Sequence, residues 1–499
     1  MLRAMASSRK IFSLSSGISR ADFFRRVAAL SKGLRGLVQY GERVAIAALT
    51  SEYYLEWMLA VPCAGGIVAP LNYRWSFDEA NAAIQLVRPA ILVLDEQCRH
   101  WGEPLSELYP WMMQVFLEED CETLRGESIM RCNGETETNL DLCFAPNNIA
   151  LICFTSGTTG TPKGVSLTHR ALVAQSLAKL AIVGYSSMDV YLHTAPLCHI
   201  GGISSVLAMV MAGSQQLFLP KFETSAVRQA LKDYNISTMI VVPTILRDIL
   251  EPGKSGSDQV FPSMLTILNG GGSVPSRLLP AVKKTFPNAR LFSAYGMTEA
   301  CSSMTFLRLD GHVPLGVGSC VGKPPPHVQV GIKDGRIFTR GPHVMHGYWG
   351  QTIETAGVLQ QDGWLDTGDI GKIDKAGNLW LLGRAKDVVK TGGENVYASE
   401  VEMVLSQHPS VSSVAVVGVP ESRLSEIVAA VVRLHDGWTW SISEHPMTVS
   451  ESDLRLHCSK QGLSRYKIPK LIVQRQDPFP VTSTGKVRKD MIKAGLSKL

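Results

Sequence analysis

The sequence predicts an α/β protein with a large N-terminal domain of α/β sheets and a small α+β C-terminal domain. Short apolar runs alternate with amphipathic stretches along most of the chain, which is typical of sheets with largely parallel strands. A polar segment, Gly-Arg-Ala-Lys-Asp at 383–387, then separates this pattern from a shorter region. With 499 residues, of which 45% are hydrophobic and 19% charged, the chain is long enough for two domains.

The elements of the N-terminal part follow from the period of the apolar residues. Helices are predicted at 22–38, 51–64 and 167–180. Strands are predicted at 43–49, 90–94, 149–154, 190–194, 215–219, 238–242, 265–268 and 290–294. Residues 100–145 are polar and irregular, so we expect them to form an excursion on the surface.

The region beyond residue 384 predicts a separate C-terminal domain. Residues 398–407 have helical periodicity, residues 411–419 and 427–434 are strand-like, and the charged end of the chain predicts a final helix. We therefore expect an N-terminal domain at 21–384 and a C-terminal domain at 385–499, which is within the usual size range of a domain.

Composition argues against several classes of protein. The net charge of +5 is small for this length, and no dense basic block is interleaved with aromatic residues, so a nucleic-acid binder is not expected. The ten cysteines are scattered and lack zinc-site spacing, which predicts buried thiols in a reducing compartment. Pro62 and Pro70 interrupt the longest apolar run, so no transmembrane segment is predicted.

Both ends of the chain carry possible targeting signals. Residues 1–20 contain arginine, lysine and serine but no acidic residue, the first carboxylate being that of Asp22. They form either a plastid or mitochondrial transit peptide or a disordered N-terminus. The chain ends in Ser497-Lys498-Leu499, the signal that the peroxisomal import receptor reads. These signals predict a location in the peroxisome, the chloroplast or both.

The most informative segment is a loop rich in glycine and hydroxyl groups, TSGTTGTPKG at 155–164. Glycine lets backbone N–H groups approach phosphate oxygens, while the hydroxyls and Lys163 add donors and positive charge. It is not a Walker A loop, because Lys163 follows proline and precedes glycine. The predicted phosphate-binding residues are Thr155, Ser156, Gly157, Thr158, Thr159, Gly160 and Lys163.

Two later motifs offer further groups that suit a nucleotide. In YGMTE at 295–299, Thr298 can donate to an α-phosphate and Glu299 can help to hold magnesium, which prefers oxygen ligands. In WLDTGD at 364–369, Asp369 follows a glycine turn and can accept hydrogen bonds from both ribose hydroxyls. Each motif alone could be an ordinary turn, so their joint occurrence is what indicates a nucleotide site.

Two basic residues complete this set. Arg384 can reach ribose or phosphate with its planar guanidinium group. Lys486 ends the motif PVTSTGK at 480–486 and lies on a glycine turn. A phosphate loop accompanied by these residues makes adenylation of a substrate the leading hypothesis.

The motifs TSGTTGTPKG, YGMTE, WLDTGD, GRAKDVVKTGGENVYASEVE and PVTSTGK, in this order, resemble those of the adenylate-forming superfamily. That superfamily contains acyl-CoA synthetases, luciferases and the adenylation domains of peptide synthetases. The segments HTAPLCHIGGISS, ILNGGGS, SAYGMTEACSS and SCVGKPPPHV are similar to the plant o-succinylbenzoate–CoA ligases, as is His327 after the proline run. Ala398 departs from the proline usual in the superfamily, which should affect local rigidity more than chemistry.

The resemblance implies an ATP-dependent, magnesium-requiring acid–CoA ligase that acts on 2-succinylbenzoate in phylloquinone biosynthesis. An acyl-adenylate and pyrophosphate form first, and the thiol of CoA then displaces AMP. It assigns Lys486 to the adenylation step, Glu299 to the metal and Thr298 to the α-phosphate. The residues implied to hold the adenosine are Gly270, Gly271, Gly272, Tyr295, Gly296, Asp369 and Arg384.

The resemblance also implies that the C-terminal domain is a mobile lid with its hinge at Lys386. Lys390, Gly392 and Gly393 are then expected to bind CoA. His199 corresponds to a residue that gates or orients the acid. Because 2-succinylbenzoate retains a second carboxylate, its pocket should carry polar donors. The candidates are His199, Ser204, Ser302 and Ser303.

Three interpretations besides this one stay open at the level of sequence. The chain could be another peroxisomal acyl-CoA synthetase, for a 4-coumarate-like or fatty acid. It could instead be an adenylate-forming enzyme that delivers its product to a carrier protein or to oxygen. The third is a nucleotide-binding protein without catalysis, although every expected catalytic position is filled.

Overall fold

The computed structural model describes residues 12–117, 146–156, 162–251, 259–309, 318–441, 446–481 and 487–496. By their internal contacts the residues divide into two compact units. The first comprises Met1–Val313, Val321–Val330 and Thr339–Leu365, and the second comprises Pro314–Cys320, Gly331–Phe338 and Asp366–Leu499. The proposed hinge at Lys386 stays a prediction.

Helices occur throughout the described part of the chain. In order they are α1 (Arg20–Leu34), α2 (Glu52–Cys63), α3 (Phe77–Val87), α4 (Gly102–Leu108), α5 (His169–Ile182), α6 (Ile200–Ala212), α7 (Thr224–Asp233), α8 (Pro243–Leu250), α9 (Leu279–Thr285), α10 (Thr352–Ala356), α11 (Ala398–Leu405), α12 (Glu451–Lys460) and α13 (Lys489–Leu496). None of these helices has both the length and the apolarity needed to cross a bilayer.

The strands of the described residues alternate with these helices. In order they are β1 (Arg43–Ala47), β2 (Ile67–Pro70), β3 (Ile91–Asp95), β4 (Met113–Leu117), β5 (Ile149–Ser156), β6 (Pro162–Thr168), β7 (Val190–His193), β8 (Gln215–Phe218), β9 (Thr238–Val241), β10 (Thr266–Asn269), β11 (Arg290–Met297), β12 (Ser302–Arg308), β13 (Ser319–Gly322), β14 (Gln329–Lys333), β15 (Arg336–Arg340), β16 (Gly347–Tyr348), β17 (Leu365–Ile373), β18 (Leu379–Arg384), β19 (Val388–Thr391), β20 (Glu394–Tyr397), β21 (Val411–Glu421), β22 (Ser425–Leu434), β23 (Thr439–Trp440), β24 (Thr448–Val449) and β25 (Leu471–Gln474).

Two sheets organise the first unit. One has the strand order β16-β6-β5-β2-β1-β3-β4, with parallel pairing from β5 through β4 and antiparallel pairing at β5, β6 and β16. Its parallel strands are nearly continuous apolar runs because both faces are covered, as β1 shows with Val44, Ala45, Ile46 and Ala47 all buried. The predicted α/β class is confirmed.

The second sheet has the order β12-β11-β10-β9-β7-β8, and its strands are parallel except for β12. The carboxyl ends of β7, β10 and β11 therefore lie on one edge. Ligands of open α/β sheets bind outside such an edge. The chain places His199 after β7, Gly270 after β10 and Tyr295 near the end of β11.

The second unit is smaller and of the α+β type. Its sheet contains β20-β19-β22-β21 with β25 paired to β22, and β21 and β22 form a long antiparallel hairpin. Its apolar core includes Val401 and Leu405 of α11, together with Val416, Val428 and Leu454. A further sheet, β13-β18-β17-β15-β14, contains the hairpin of β17 and β18.

Most predicted elements are present, and two predictions were wrong in part. The predicted helix at 167–180 begins only at His169, because residues 162–168 are needed as β6, the antiparallel partner of β5. The predicted surface excursion at 100–145 begins with α4 and with β4, whose Val115 is buried against β3. Residues 118–145 lie outside the described residues.

Candidate active site

The phosphate loop connects two antiparallel strands. Thr155 pairs with Lys163 and Ser156 with Pro162, so the backbone brings the two ends of the loop together. Gly164 is required by packing, because a Cβ there would lie 2.8 Å from Cγ2 of Ile152. The loop residues Gly157, Thr158, Thr159 and Gly160 lie outside the described residues, so their part in phosphate binding stays a prediction.

Tyr348 joins this hairpin from a distant part of the sequence. Its short strand, β16, pairs with β6, and the N–H of Trp349 donates to the carbonyl of Gly164 at 2.7 Å. The ring of Tyr348 lies beneath Lys163, whose Nζ is 4.9 Å from the ring centroid. A cation at this distance is attracted by the electron-rich face of the ring, so Tyr348 helps to fix the direction of the lysine.

Glu299 is held by the same tyrosine. The hydroxyl of Tyr348 donates to Oε1 of Glu299 at 2.9 Å, and the N–H of Met345 donates to the Glu299 carbonyl at 2.9 Å. Burial and the neighbouring carboxylate both raise the pKa of the Tyr348 phenol, so it stays a donor at neutral pH. Glu299 itself is only 9% exposed.

Magnesium fits Glu299 only in a particular way. In the described part of the chain no group of three or more His, Cys, Asp or Glu side chains could hold a metal ion. Magnesium is commonly bound through one or two carboxylates, waters and the phosphates of a substrate. The single buried carboxylate of Glu299, near the predicted phosphate loop, matches that pattern. It could hold magnesium only together with waters and the phosphates of ATP.

The turn that carries Thr298 and Glu299 is backbone-constrained. The two residues lie in a short 3₁₀ helix at the end of β11. Gly296 precedes it at a bulge, where a Cβ would come within 1.5 Å of the Ser302 carbonyl oxygen. Cys301 and Ser302 then adopt positive φ values of 53° and 101°. Such conformations are costly and occur at sites whose geometry matters.

The predicted adenine residues share one edge of the sheet. Gly270–Gly272 follow β10, and Tyr295 lies near the end of β11, its parallel neighbour. Gly271 has a φ of +74°, which favours glycine, and the side chain of Asn269 donates to the carbonyl of Gly272 at 2.7 Å. The glycines leave the backbone uncovered at this edge, which suits a flat ligand.

His199 caps helix α6 at the end of the segment that follows β7. Its N–H donates to the carbonyl of Pro196 at 3.2 Å, and the side chain is half-buried. Gly202 allows this tight turn, because a Cβ there would lie 2.2 Å from the Pro196 carbonyl oxygen. His199 thus lies at the N-terminus of α6, on the sheet edge that carries the residues predicted to contact adenine.

The three predicted serines have different surroundings. Ser204 is buried in α6, and its hydroxyl lies 2.5 Å from Nζ of Lys179. Ser303 is also buried, and its carbonyl accepts from Gln175 at 2.5 Å. Ser302 lies beside it, with the two hydroxyl oxygens 3.5 Å apart. Lys179 and Gln175 come from α5, and neither was predicted from the sequence.

Asp369 and Arg384 form an ion pair in the second unit. They lie opposite each other in the hairpin of β17 and β18, with Arg384 Nε 2.9 Å from Asp369 Oδ1. Asp369 is 4% exposed and its N–H donates to the Thr367 hydroxyl, while Arg384 is 40% exposed. Gly368 makes the turn with a φ of +72°. The arginine therefore holds a buried carboxylate in one position.

The two glycines predicted to face CoA form a tight hairpin turn. Thr391 pairs with Glu394, and the two glycines between them, Gly392 and Gly393, have φ values of 58° and 87°. Two-residue hairpins of this type need positive φ at both positions, which explains the glycines without any ligand. Lys390 is exposed in β19, and Lys386 lies in a short 3₁₀ turn. Lys486 lies outside the described residues.

Comparison with known proteins identifies the family of the chain. A model of the AMP-binding enzyme family matches residues 6–349, and a model of the AMP-binding enzyme C-terminal domain matches residues 400–486. The chain is 42% identical to the 2-succinylbenzoate–CoA ligase, chloroplastic/peroxisomal, of Arabidopsis thaliana, over 95% of this chain and 91% of that protein.

Solved structures of adenylate-forming enzymes have the same fold. ATP-bound MatB from Rhodopseudomonas palustris aligns with a TM-score of 0.85 at 27% identity, covering 98% of this chain and 96% of that one. The o-succinylbenzoate CoA synthetase of Bacillus subtilis, in complex with its acyl-adenylate OSB-AMP, aligns with a TM-score of 0.82 at 25% identity, covering 99% and 97%. The chain belongs to the family of AMP-binding enzymes, within the adenylate-forming superfamily.

Proposed function

We propose that the chain is a magnesium-dependent acid–CoA ligase that converts 2-succinylbenzoate, ATP and CoA to 2-succinylbenzoyl-CoA, AMP and pyrophosphate. The observation that carries the proposal is the 42% identity to a 2-succinylbenzoate–CoA ligase across 95% of the chain. The buried serines and lysine beside α6 support it, because an acid with two carboxylates needs polar donors in its pocket. The reaction would be a step in phylloquinone biosynthesis.

In the first step a carboxylate oxygen of the acid attacks the α-phosphorus of ATP, and the bond to the bridging oxygen breaks to release pyrophosphate. Two anions must meet, so the rate depends on cations and donors that are already in place. Lys163 and the loop would hold the β- and γ-phosphates, Thr298 would donate to the α-phosphate, and Lys486 would stabilise the transition state. Magnesium bound at Glu299 would neutralise charge on the phosphate oxygens.

The nucleoside would be held by groups that are already fixed. Asp369 would accept hydrogen bonds from the ribose hydroxyls, since Arg384 holds its carboxylate in one position. Tyr295 and Gly270–Gly272 would contact the adenine. His199 would orient the reacting carboxylate, because it lies at the start of α6 on the same sheet edge.

In the second step the thiol of CoA attacks the acyl carbon, and AMP leaves with the bonding electrons. Rotation about Lys386 would remove Lys486 and bring Lys390, Gly392 and Gly393 to the pantetheine. A hinge at the end of an element is a common way to absorb such a rotation. Gly393→Asn tests whether this turn approaches CoA, because asparagine tolerates positive φ and a Cβ there meets no atom within 4 Å. If the turn faces the pantetheine, the larger side chain should abolish formation of the thioester.

An assay with a panel of acids tests the proposal. Purified full-length protein is supplied with ATP, magnesium, CoA and 2-succinylbenzoate, 4-coumarate or a fatty acid, and pyrophosphate and thioester are measured. Thioester from 2-succinylbenzoate is expected. If only 4-coumarate or the fatty acid is converted, the proposed substrate is wrong and the chain is an acyl-CoA synthetase for that acid.

The same assay distinguishes a ligase from two further kinds of protein. Pyrophosphate release without a CoA thioester would indicate an enzyme that delivers its acyl group to a carrier protein or to oxygen. A wild type that releases no more pyrophosphate than the Lys486→Ala background would indicate a nucleotide-binding protein without this catalysis. We expect Lys486→Ala to lose adenylation while still binding ATP.

The proposed location is the peroxisome, the chloroplast or both. The support is the C-terminal Ser497-Lys498-Leu499 and the name of the Arabidopsis relative. Fusing a fluorescent protein ahead of Met1 masks one signal, and fusing it after Leu499 masks the other. Peroxisomal import of the first fusion alone is the result expected if the terminal tripeptide is read by its receptor.

A further inference from the structure

Helix α5 presents its polar and apolar side chains in an unusual way. Its buried face carries Gln175 and Lys179, each with 0% exposure, whereas Val173 and Leu177 are 47% and 52% exposed. Hydrophobic burial would favour the opposite arrangement. Residues four apart share a helix face, so Gln175 and Lys179 form one polar strip directed inward.

Lys179 is a buried cation that lacks a buried anion. Its Nζ contacts the hydroxyls of Ser204 at 2.5 Å and Ser205 at 3.1 Å, and no carboxylate of the described residues forms an ion pair with it. Two neutral hydroxyls do not offset the cost of removing an ammonium group from water. A buried ionisable group that lacks a charged partner is a candidate for a functional site.

The groups around the ammonium leave it without a countercharge. Cys301 is the titratable side chain that interacts electrostatically with Lys179, and burial raises the pKa of its thiol to about 12, so it is neutral. Tyr191 hydrogen-bonds Ser205, and burial raises the pKa of its phenol, which therefore stays neutral too. The same burial lowers the pKa of Lys179 to about 7. A carboxylate brought by a ligand would restore the charged form.

The separation between His199 and Ser204, which contacts Lys179, is similar to the distance between the two carboxylates of the proposed acid. Ser204 lies five residues after His199, and at 1.5 Å per helical residue the two are separated by about 7.5 Å along α6. Six bonds join the two carboxyl carbons of 2-succinylbenzoate. A chain advances about 3.5 Å per three bonds, so they span at most about 7 Å. An acid whose reacting carboxylate is near His199 could thus place the other near Ser204.

We propose that Lys179, held by Ser204 and Ser205, binds the ring carboxylate of the acid and so selects a diacid over a monoacid. This inference rests on the proposed function. Lys179 is a specificity-determining residue in this account, because it contacts the carboxylate that does not react. Gln175, on the same helix face, binds the carbonyls of Ala300 and Ser303 and has a structural role.

The test compares two acids and three proteins. The acids are 2-succinylbenzoate and 3-benzoylpropionate, which lacks the ring carboxylate. The proteins are wild type, Lys179→Met and Gln175→Met, a matched change on the same buried face. Lys179→Met is expected to lower kcat/KM for 2-succinylbenzoate by roughly 30-fold or more, chiefly through KM, and to leave 3-benzoylpropionate unchanged or improved.

Gln175→Met is expected to leave the ratio of the two kcat/KM values unchanged, even where both values fall. If Lys179→Met alters both acids by the same factor, or neither, the inference is overturned while the proposed function stands. If wild type forms no thioester from 2-succinylbenzoate, the proposed function fails and the inference is overturned with it. Methionine fills a similar volume, so loss of the fold is not the expected result.

Proton uptake on ligand binding is a second measurement, and it would not depend on Lys179 if that lysine had only a structural role. A non-hydrolysable acyl-sulfamate analogue of the 2-succinylbenzoyl adenylate is titrated into the protein at pH 8 in buffers of different ionisation enthalpy. Wild type is expected to take up most of one proton, because the ring carboxylate recharges Lys179. Equal proton uptake by wild type and Lys179→Met would overturn the inference.

Discussion

Lys163 and Lys179 are near neighbours in the sequence, but their surroundings differ in kind. Lys163 is half-buried near the end of the phosphate loop, over the ring of Tyr348. Lys179 is fully buried between α5 and α6, with two serine hydroxyls as partners. The comparison separates a proposed nucleotide region, whose groups lie in motifs, from a proposed acid region, whose lysine lies in no motif.

The difference gives a simple rule for the effects of substitutions. The proposed nucleotide region would take part whichever acid is bound, so changes there should slow the reaction of every acid by the same factor. The acid region contacts a part of the substrate that varies between acids, so changes there should alter the preference between acids. The following predictions test that separation, from the largest expected effect to the smallest.

Glu299→Gln should have the largest effect. Glutamine keeps an acceptor for the hydroxyl of Tyr348 but removes the charge that would hold magnesium. We expect pyrophosphate release to fall by roughly 100- to 1000-fold with every acid, the size found when preorganised electrostatic stabilisation is removed. The control is Glu354→Gln, an exposed change in α10, which should leave the rate unchanged. A loss confined to one acid would contradict the rule.

Asp369→Asn should have the second largest effect, and this effect should be on the binding of ATP. The change removes the negative partner of Arg384 and weakens an acceptor for the ribose hydroxyls. We expect KM for ATP to rise by roughly 10- to 100-fold, as for loss of a charged hydrogen bond, with KM for the acid nearly unchanged. Asp374→Asn in the same hairpin is the matched control. An unchanged KM for ATP would remove Asp369 from the nucleotide region.

Tyr348→Phe should have a smaller effect. It preserves the ring beneath Lys163 but deletes the hydroxyl that donates to Glu299. We expect adenylation to slow by about 10-fold for every acid, since one hydrogen bond to a charged group is lost. Tyr348→Leu, which also removes the ring, should slow it further. Equal rates for the two variants would show that the ring has no role.

Lys179→Met should change the free energy of unfolding in a manner that depends on pH. The pKa of Lys179 is about 7 in the folded protein and its ordinary value is 10.5, so between these values the unfolded chain binds more protons. Wild type therefore gains stability as pH rises from 7 towards 10. The variant should be more stable by roughly 1–4 kcal/mol at pH 6.5, and this advantage should shrink by pH 9.5. Melting temperatures at both pH values check it.

The groups proposed to bind the nucleotide could be named from sequence because they lie in short local motifs. The loop at 155–164, Glu299, Asp369 and Arg384 were all proposed in this way, and their roles stay predictions. The sequence could not explain why residue 296 is glycine. In the structure, a Cβ added there would meet the carbonyl of Ser302 across the β11–β12 bulge. The start of α5 was misplaced because the pairing of β6 with β5 overrides the local apolar pattern.

Tyr348 and Lys179 could not be predicted, since each acts through a partner that is distant in sequence. Tyr348 reaches Glu299 because β16 joins the edge of β6. Lys179 reaches Ser204 because α5 packs on α6. A polar pair at spacing four on a helix, Gln175 and Lys179, was the available signal. It predicts a shared face but gives no reason to expect that the face is buried.

The most direct measurement is the ratio of kcat/KM for 2-succinylbenzoate to kcat/KM for 3-benzoylpropionate, taken for wild type, Glu299→Gln and Lys179→Met. The account predicts that Glu299→Gln lowers both values and keeps the wild-type ratio, whereas Lys179→Met lowers the ratio by roughly 30-fold or more. A ratio that stays the same in all three proteins, or that falls with Glu299→Gln, would contradict the separation of the reaction from the choice of acid.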